Sequence, residues 1–96
     1  MILKTTIAVI AITASGQLLA CTKPASPNLP DPGTAVTAQM IKAKNDMKSY
    51  IKAAESYLEC VESDTKKYNN MVDEMQSAAE GFNGIVKKYK KRMGAA

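Results

Sequence analysis

Histidine and tryptophan are absent from this 96-residue chain, and phenylalanine occurs once. Without histidine there is no default general base at neutral pH, no imidazole ligand for zinc, and no Ser–His or Cys–His pair. Cysteine occurs only twice, as Cys21 and Cys60, and all four prolines fall between residues 24 and 32. The adjacent carboxylates Asp73 and Glu74 project to different sides of a helix and make no acid/base pair. Cys60 has no activating base in evident reach. No catalytic, cofactor-binding or metal site is expected, and the chain does not read as an enzyme.

The residues that are present begin with a leader. Residues 1–20 carry one cation, Lys4, ahead of the apolar stretch Ile7 to Ile12, and then small and polar residues. A charged start, a short apolar core and a small residue before the cut mark a secretory signal. Ser15-Gly16-Gln17 break the apolar run well before the ~20 residues that a membrane span needs. Export is therefore expected, and the chain divides into a signal peptide (1–20), a Pro-rich segment (21–35) and a helical body (36–96). Once the leader is removed, about 76 residues remain, a size at which a single core stabilises weakly and a staple or partner is common.

Leu18-Leu19-Ala20-Cys21 resembles the lipobox of bacterial lipoproteins, with Leu18 and Ala20 on pattern and Leu19 off it. That resemblance implies a lipidated Cys21. Thr22 stands where an Asp would retain such a protein in the inner membrane, so it also implies the inner leaflet of the outer membrane. An ordinary cut beside Cys21, or one after Ala14-Ser15-Gly16, is the alternative and leaves the protein in the periplasm. In an oxidising compartment the even cysteine count favours a Cys21–Cys60 disulfide, which excludes a thioether on Cys21. The geometry allows it: Cys60 lies about 36 Å along a helix begun near Val36, and residues 21–36 span up to about 50 Å. An intermolecular Cys60–Cys60 link is the third option.

The segment 22–35, with Pro24, Pro27, Pro30 and Pro32, reads as an extended strap or tether rather than a ligand for a Pro-recognising domain. Asp31-Pro32-Gly33-Thr34 reads as a turn, and Thr34 or Thr37 is the candidate N-cap of the helix after it. From Val36 onward there is no proline, and apolar residues recur every three or four positions. With Met40 at heptad position a, that set continues through Met47, Ala54, Val61, Tyr68, Met75, Phe82 and Tyr89. Position d holds Val36, Ala43, Tyr50, Tyr57, Met71, Ala78 and Ile85, interrupted by Asp64 and Arg92, while Ile51, Leu58, Val72, Ala79 and Val86 widen the stripe. This is an amphipathic helical signal, and these positions are the expected core.

The polar stretch Glu62 to Lys67 favours an all-α antiparallel hairpin, with helices near 36–62 and 66–92, since a hairpin hides its stripe within one chain. The alternative is one long helix in a coiled-coil oligomer. Gly81 and Gly84 are weak points, or places of close approach to the strap.

Charge is layered along this body. Lys42, Lys44, Lys48 and Lys52 stand near its start, acidic residues from Glu55 to Glu80 fill the middle, and Lys87, Lys88, Lys90, Lys91 and Arg92 close it. A hairpin gathers both basic stretches at one end. That end suits an anionic membrane surface or an unknown protein partner, and it is where a lipidated N-terminus is expected to anchor. Nucleic acid is a poor candidate for an exported chain with few aromatics. A homo-oligomer is the remaining partner reading.

Cys21-Thr-Lys-Pro24, Leu29-Pro30-Asp31, Tyr57-Leu-Glu-Cys60 and Met71-Val-Asp-Glu-Met75 come one after another in an order that resembles small exported proteins of proteobacteria. The resemblance covers about residues 21–92, and it implies a two-helix body and a Cys21–Cys60 bridge. It brings no activity, substrate or site. The function expected is a non-catalytic exported envelope protein acting as a helical interaction module. The alternative is an outer-membrane lipoprotein acting as a coiled-coil spacer.

Overall fold

The computed structural model describes residues 21–95, apart from the side chain of Ala95, and the expected signal segment 1–20 lies outside the described residues. An extended strap leads into two helices, α1 (Thr37–Cys60) and α2 (Thr65–Ala95), packed as an antiparallel hairpin. The continuous rod is thereby set aside. Both helices differ from their expected bounds by a turn or less, and the caps explain why.

Neither threonine caps α1. Val36 is the N-cap, in an extended conformation, and its N–H donates to Gln39 Oε1 at 2.9 Å. Thr37 is instead the first helical residue, and its hydroxyl is 2.8 Å from that of Tyr89 on α2. Thr34 belongs to the preceding turn, where its N–H and that of Ala35 reach the Asp31 carbonyl at 3.2 and 2.9 Å. Gly33 N–H donates to Asp31 Oδ1 at 2.8 Å, closing the Asx turn that Asp-Pro-Gly favours.

At the far end, Val61 leaves the helix with its N–H still bonded to Tyr57 at 3.0 Å. Asp64 then starts α2. Its carboxylate accepts Lys67 N–H at 3.1 Å and its carbonyl accepts Tyr68 N–H at 2.9 Å. An N-cap needs extended backbone and a short acceptor, so the acidic break in the apolar stripe is a cap rather than a core position.

The strap runs back along α1. Cys21 is bonded to Cys60 with their Cα atoms 5.5 Å apart, Leu29 packs against the core, and Ala35 is buried at the entry to α1. Lys23 forms an ion pair with Glu74 of α2. The strap thus lies in one groove of the hairpin and touches both helices. All four prolines are half-buried.

The core results from this three-layer arrangement. Met40, Ala43, Met47, Tyr50, Ala54, Tyr57 and Val61, all expected, are buried because α1 is flanked by both strap and α2. Among the described side chains of α2 only Met71 is fully buried, while Met75, Ala78 and Phe82 pack partly against the cluster. Two expected core residues are corrected. Val36 is 58% and Tyr68 37% exposed, because each sits at a helix end beyond the neighbouring layer. Gly81 and Gly84 have open space where a Cβ would stand, so neither is a close approach to the strap.

Candidate functional site

Three features of the surface arise from the hairpin, and the first is the fastening of the strap. Bonding of Cys21 to Cys60 encloses a segment with a sequence separation of 39 and fixes the start of the strap at the turn end of the hairpin. At the opposite end, Arg92 donates to the carbonyls of Pro32 and Ala35 at 2.8 and 2.5 Å. Its guanidinium also lies over the Tyr89 ring, 5.3 Å from the centroid, a cation–π geometry. Arg92 was expected to face a membrane or partner with the neighbouring lysines. It is instead half-buried and turned inward, satisfying two carbonyls that the turn at residues 32–35 leaves open.

Under the middle of the strap, Tyr50 is 4% exposed and its hydroxyl has no hydrogen-bond partner among the described residues. Burial pushes its phenol above the ordinary value, and the Glu74 carboxylate adds to this. The Ser26 side chain, close by but outside hydrogen-bond geometry, and Lys23 act in reverse. The hydrogen bond to Glu74 raises the Lys23 ammonium above its usual range, outweighing desolvation, which works against it.

The second feature is the basic end. Lys87, Lys88, Lys90 and Lys91 are exposed there, and the start of α1 brings Lys42 and Lys44 to the same end. Lys42 is engaged with Asp46, one turn on, at 2.6 Å. Cys21, however, sits with Cys60 at the other end, about 36 Å away along a 24-residue helix. A lipid on Cys21 was expected to anchor the basic end. The strap runs antiparallel to α1, so such a lipid would hold the acidic turn end instead.

The third feature is the groove on the side of the hairpin away from the strap. Its floor includes Met40, Met47, Ile51 and Phe82, and its rim carries Lys44, Lys48, Lys52 and Glu55. Towards the turn it continues past Leu58, Glu59 and Glu62 to Tyr68. Sequence reasoning missed this surface, although its signal is there. Ile41, Lys44, Lys48, Ile51, Glu55, Leu58 and Glu62 repeat every three or four residues, a second stripe beside the core stripe.

Among the described residues no group of three or more Cys, Asp or Glu side chains is placed to hold a metal ion. No described helix is long and apolar enough to cross a membrane. Compared with known proteins, the chain matches no family model, no curated protein and no solved structure.

Proposed function

We propose that this chain is a non-catalytic protein of an exported, oxidising compartment, a disulfide-stapled helical hairpin that works by presenting its outer faces to a partner. The observation that carries the reading is the Cys21–Cys60 bond. Such bonds persist in secreted and periplasmic proteins and are rare where thiols are kept reduced. The leader-like composition of residues 1–20 points the same way. A small helical body that buries little on α2 gains from a staple, and the open groove gives it a surface to use.

The test is the intact mass of the mature protein from its native fraction, with and without reductant before thiol alkylation. The expected result is a chain without added lipid, in which two thiols become alkylated only after reduction. A lipid-sized mass excess on a chain beginning at Cys21 would instead establish a membrane-anchored lipoprotein and remove the staple.

A further inference from the structure

The charges along the open groove are sorted by sign. Lys44, Lys48 and Lys52 line its half nearer the start of α1, and Glu55, Glu59 and Glu62 line the half nearer the turn. All six are exposed, and none forms an ion pair within the chain among the described residues. The order is unfavourable for the helix that bears it. Successive lysines at i and i+4 repel. A helix macrodipole favours anions at its start and cations at its end, whereas α1 has no basic residue in its last turn and Glu59 within it. No ion pair among the described residues accounts for the arrangement.

A second copy does. We infer that the groove is the interface of an antiparallel homodimer in which α1 packs against α1 of a second copy. A two-fold axis crossing α1 at the level of Ala53 and Ala54 sets Lys52 opposite Glu55, Lys48 opposite Glu59, and Lys44 within one residue of Glu62. Because the axis makes each contact twice, all six charges of each chain are answered. The antiparallel arrangement also sets opposite helix dipoles side by side.

Beside this charged rim, on its side towards α2, the half-buried Ile51 and Leu58 of one copy meet Leu58 and Ile51 of the other, within about two residues' rise along the axis. Ile41, 56% exposed in the single chain, lies at the outer edge of the same stripe. The contact is built as coiled-coil contacts are, with an apolar seam and flanking charge pairs that set orientation. The parallel arrangement places lysine against lysine and glutamate against glutamate, so the charge order selects one orientation. The strap occupies the other side of α1 and does not obstruct it.

This inference rests on the proposed reading of the hairpin as a module that works through its outer faces, and it names the occupant of the groove. The test is sedimentation of the purified oxidised protein over a concentration series at low and high salt, with circular dichroism to confirm folding. The native protein is expected to form dimers that weaken as salt rises. Lys48→Glu and Glu59→Lys, each at an exposed position, are each expected to weaken self-association by about tenfold or more, because each change disrupts two symmetry-related pairs. The double variant K48E/E59K is expected to recover it.

A chain carrying K44E/K48E/K52E and a chain carrying E55K/E59K/E62K are each expected to be monomeric alone and to form a heterodimer when mixed. A monomer at every concentration, or a dimer indifferent to the reversals, overturns the inference. So does binding to anionic vesicles by a protein that stays monomeric. The intact-mass measurement is independent of these outcomes. Lipid on Cys21 would overturn the staple while leaving the dimer to stand or fall on sedimentation.

Discussion

Arg92 reaches across a sequence separation of 57 to donate to the Ala35 carbonyl at 2.5 Å. This bond and its companion to Pro32 join the last turns of α2 to the corner where the strap becomes α1. Hydrogen bonds from a charged donor contribute about 1.5–3 kcal/mol, and one guanidinium serves two carbonyls here. Arg92→Ala is expected to destabilise the hairpin by about 2 kcal/mol in urea unfolding. Arg92→Lys should recover only part of this, since an ammonium lacks the planar fork that spans two acceptors. Loss of less than about 0.5 kcal/mol on Arg92→Ala would show the contact to be incidental.

Reduction of the Cys21–Cys60 bond is expected to lower stability by about 4 kcal/mol, the chain-entropy value for a closed loop of this length. Urea unfolding with and without reductant measures it. Cys60→Ser should behave like the reduced native protein, and amide exchange in the strap should rise in both.

Gly81 and Gly84 sit within α2 with open space at the Cβ position. Alanine at each should stabilise the protein by about 1 kcal/mol, additively, because only backbone entropy and propensity change. A loss at either position would mean that its glycine is needed for a contact outside the single chain.

Tyr50 makes the hairpin sensitive to alkali. Its phenol is held above the ordinary value chiefly by burial. The neutral form is therefore favoured in the folded state, and the stability it contributes is complete below the ordinary phenol value of about 10 and lost as pH rises through the folded value. Tyr50→Phe should remove that part of the alkaline loss. At neutral pH it should be neutral or stabilising by up to about 1 kcal/mol, since it deletes a buried hydroxyl that has no partner among the described residues. Tyrosinate absorbance against pH should lose its late-titrating Tyr50 component in the variant.

The apolar repeat made the two helices and the buried face of α1 legible, because one face of a helix must be covered and Met40 to Val61 alternate at the spacing that covering requires. The two polar residues that interrupt the repeat, Asp64 and Arg92, carried more than the repeat did. Asp64 caps α2, and Arg92 fastens the strap. Neither role could be assigned before it was known which backbone groups would lie beside them. Val36 and Tyr68 fit the pattern and are exposed all the same, since periodicity does not say where a neighbouring layer stops. Lys23 with Glu74 was not legible, as a pairing between strap and α2 depends on the path of the strap. The polarity of the chain's ends was misplaced for the same reason, since the antiparallel strap carries Cys21 to the acidic end.

The Cys21–Cys60 bond also decides how the protein would respond to being pulled. Tension applied between residues 21 and 95 passes through the bond to Cys60, so the strap and α1 are closed into a loop that it cannot draw out. Only the turn and α2 can lengthen, giving about 120 Å of fully extended chain, where the unbridged protein would give roughly 250 Å. Mechanically the hairpin is a rigid anchor joined to one extensible arm. Helix α2 peels from it in tension, and the sheltered strap and α1 remain as the surface on which it can rewind.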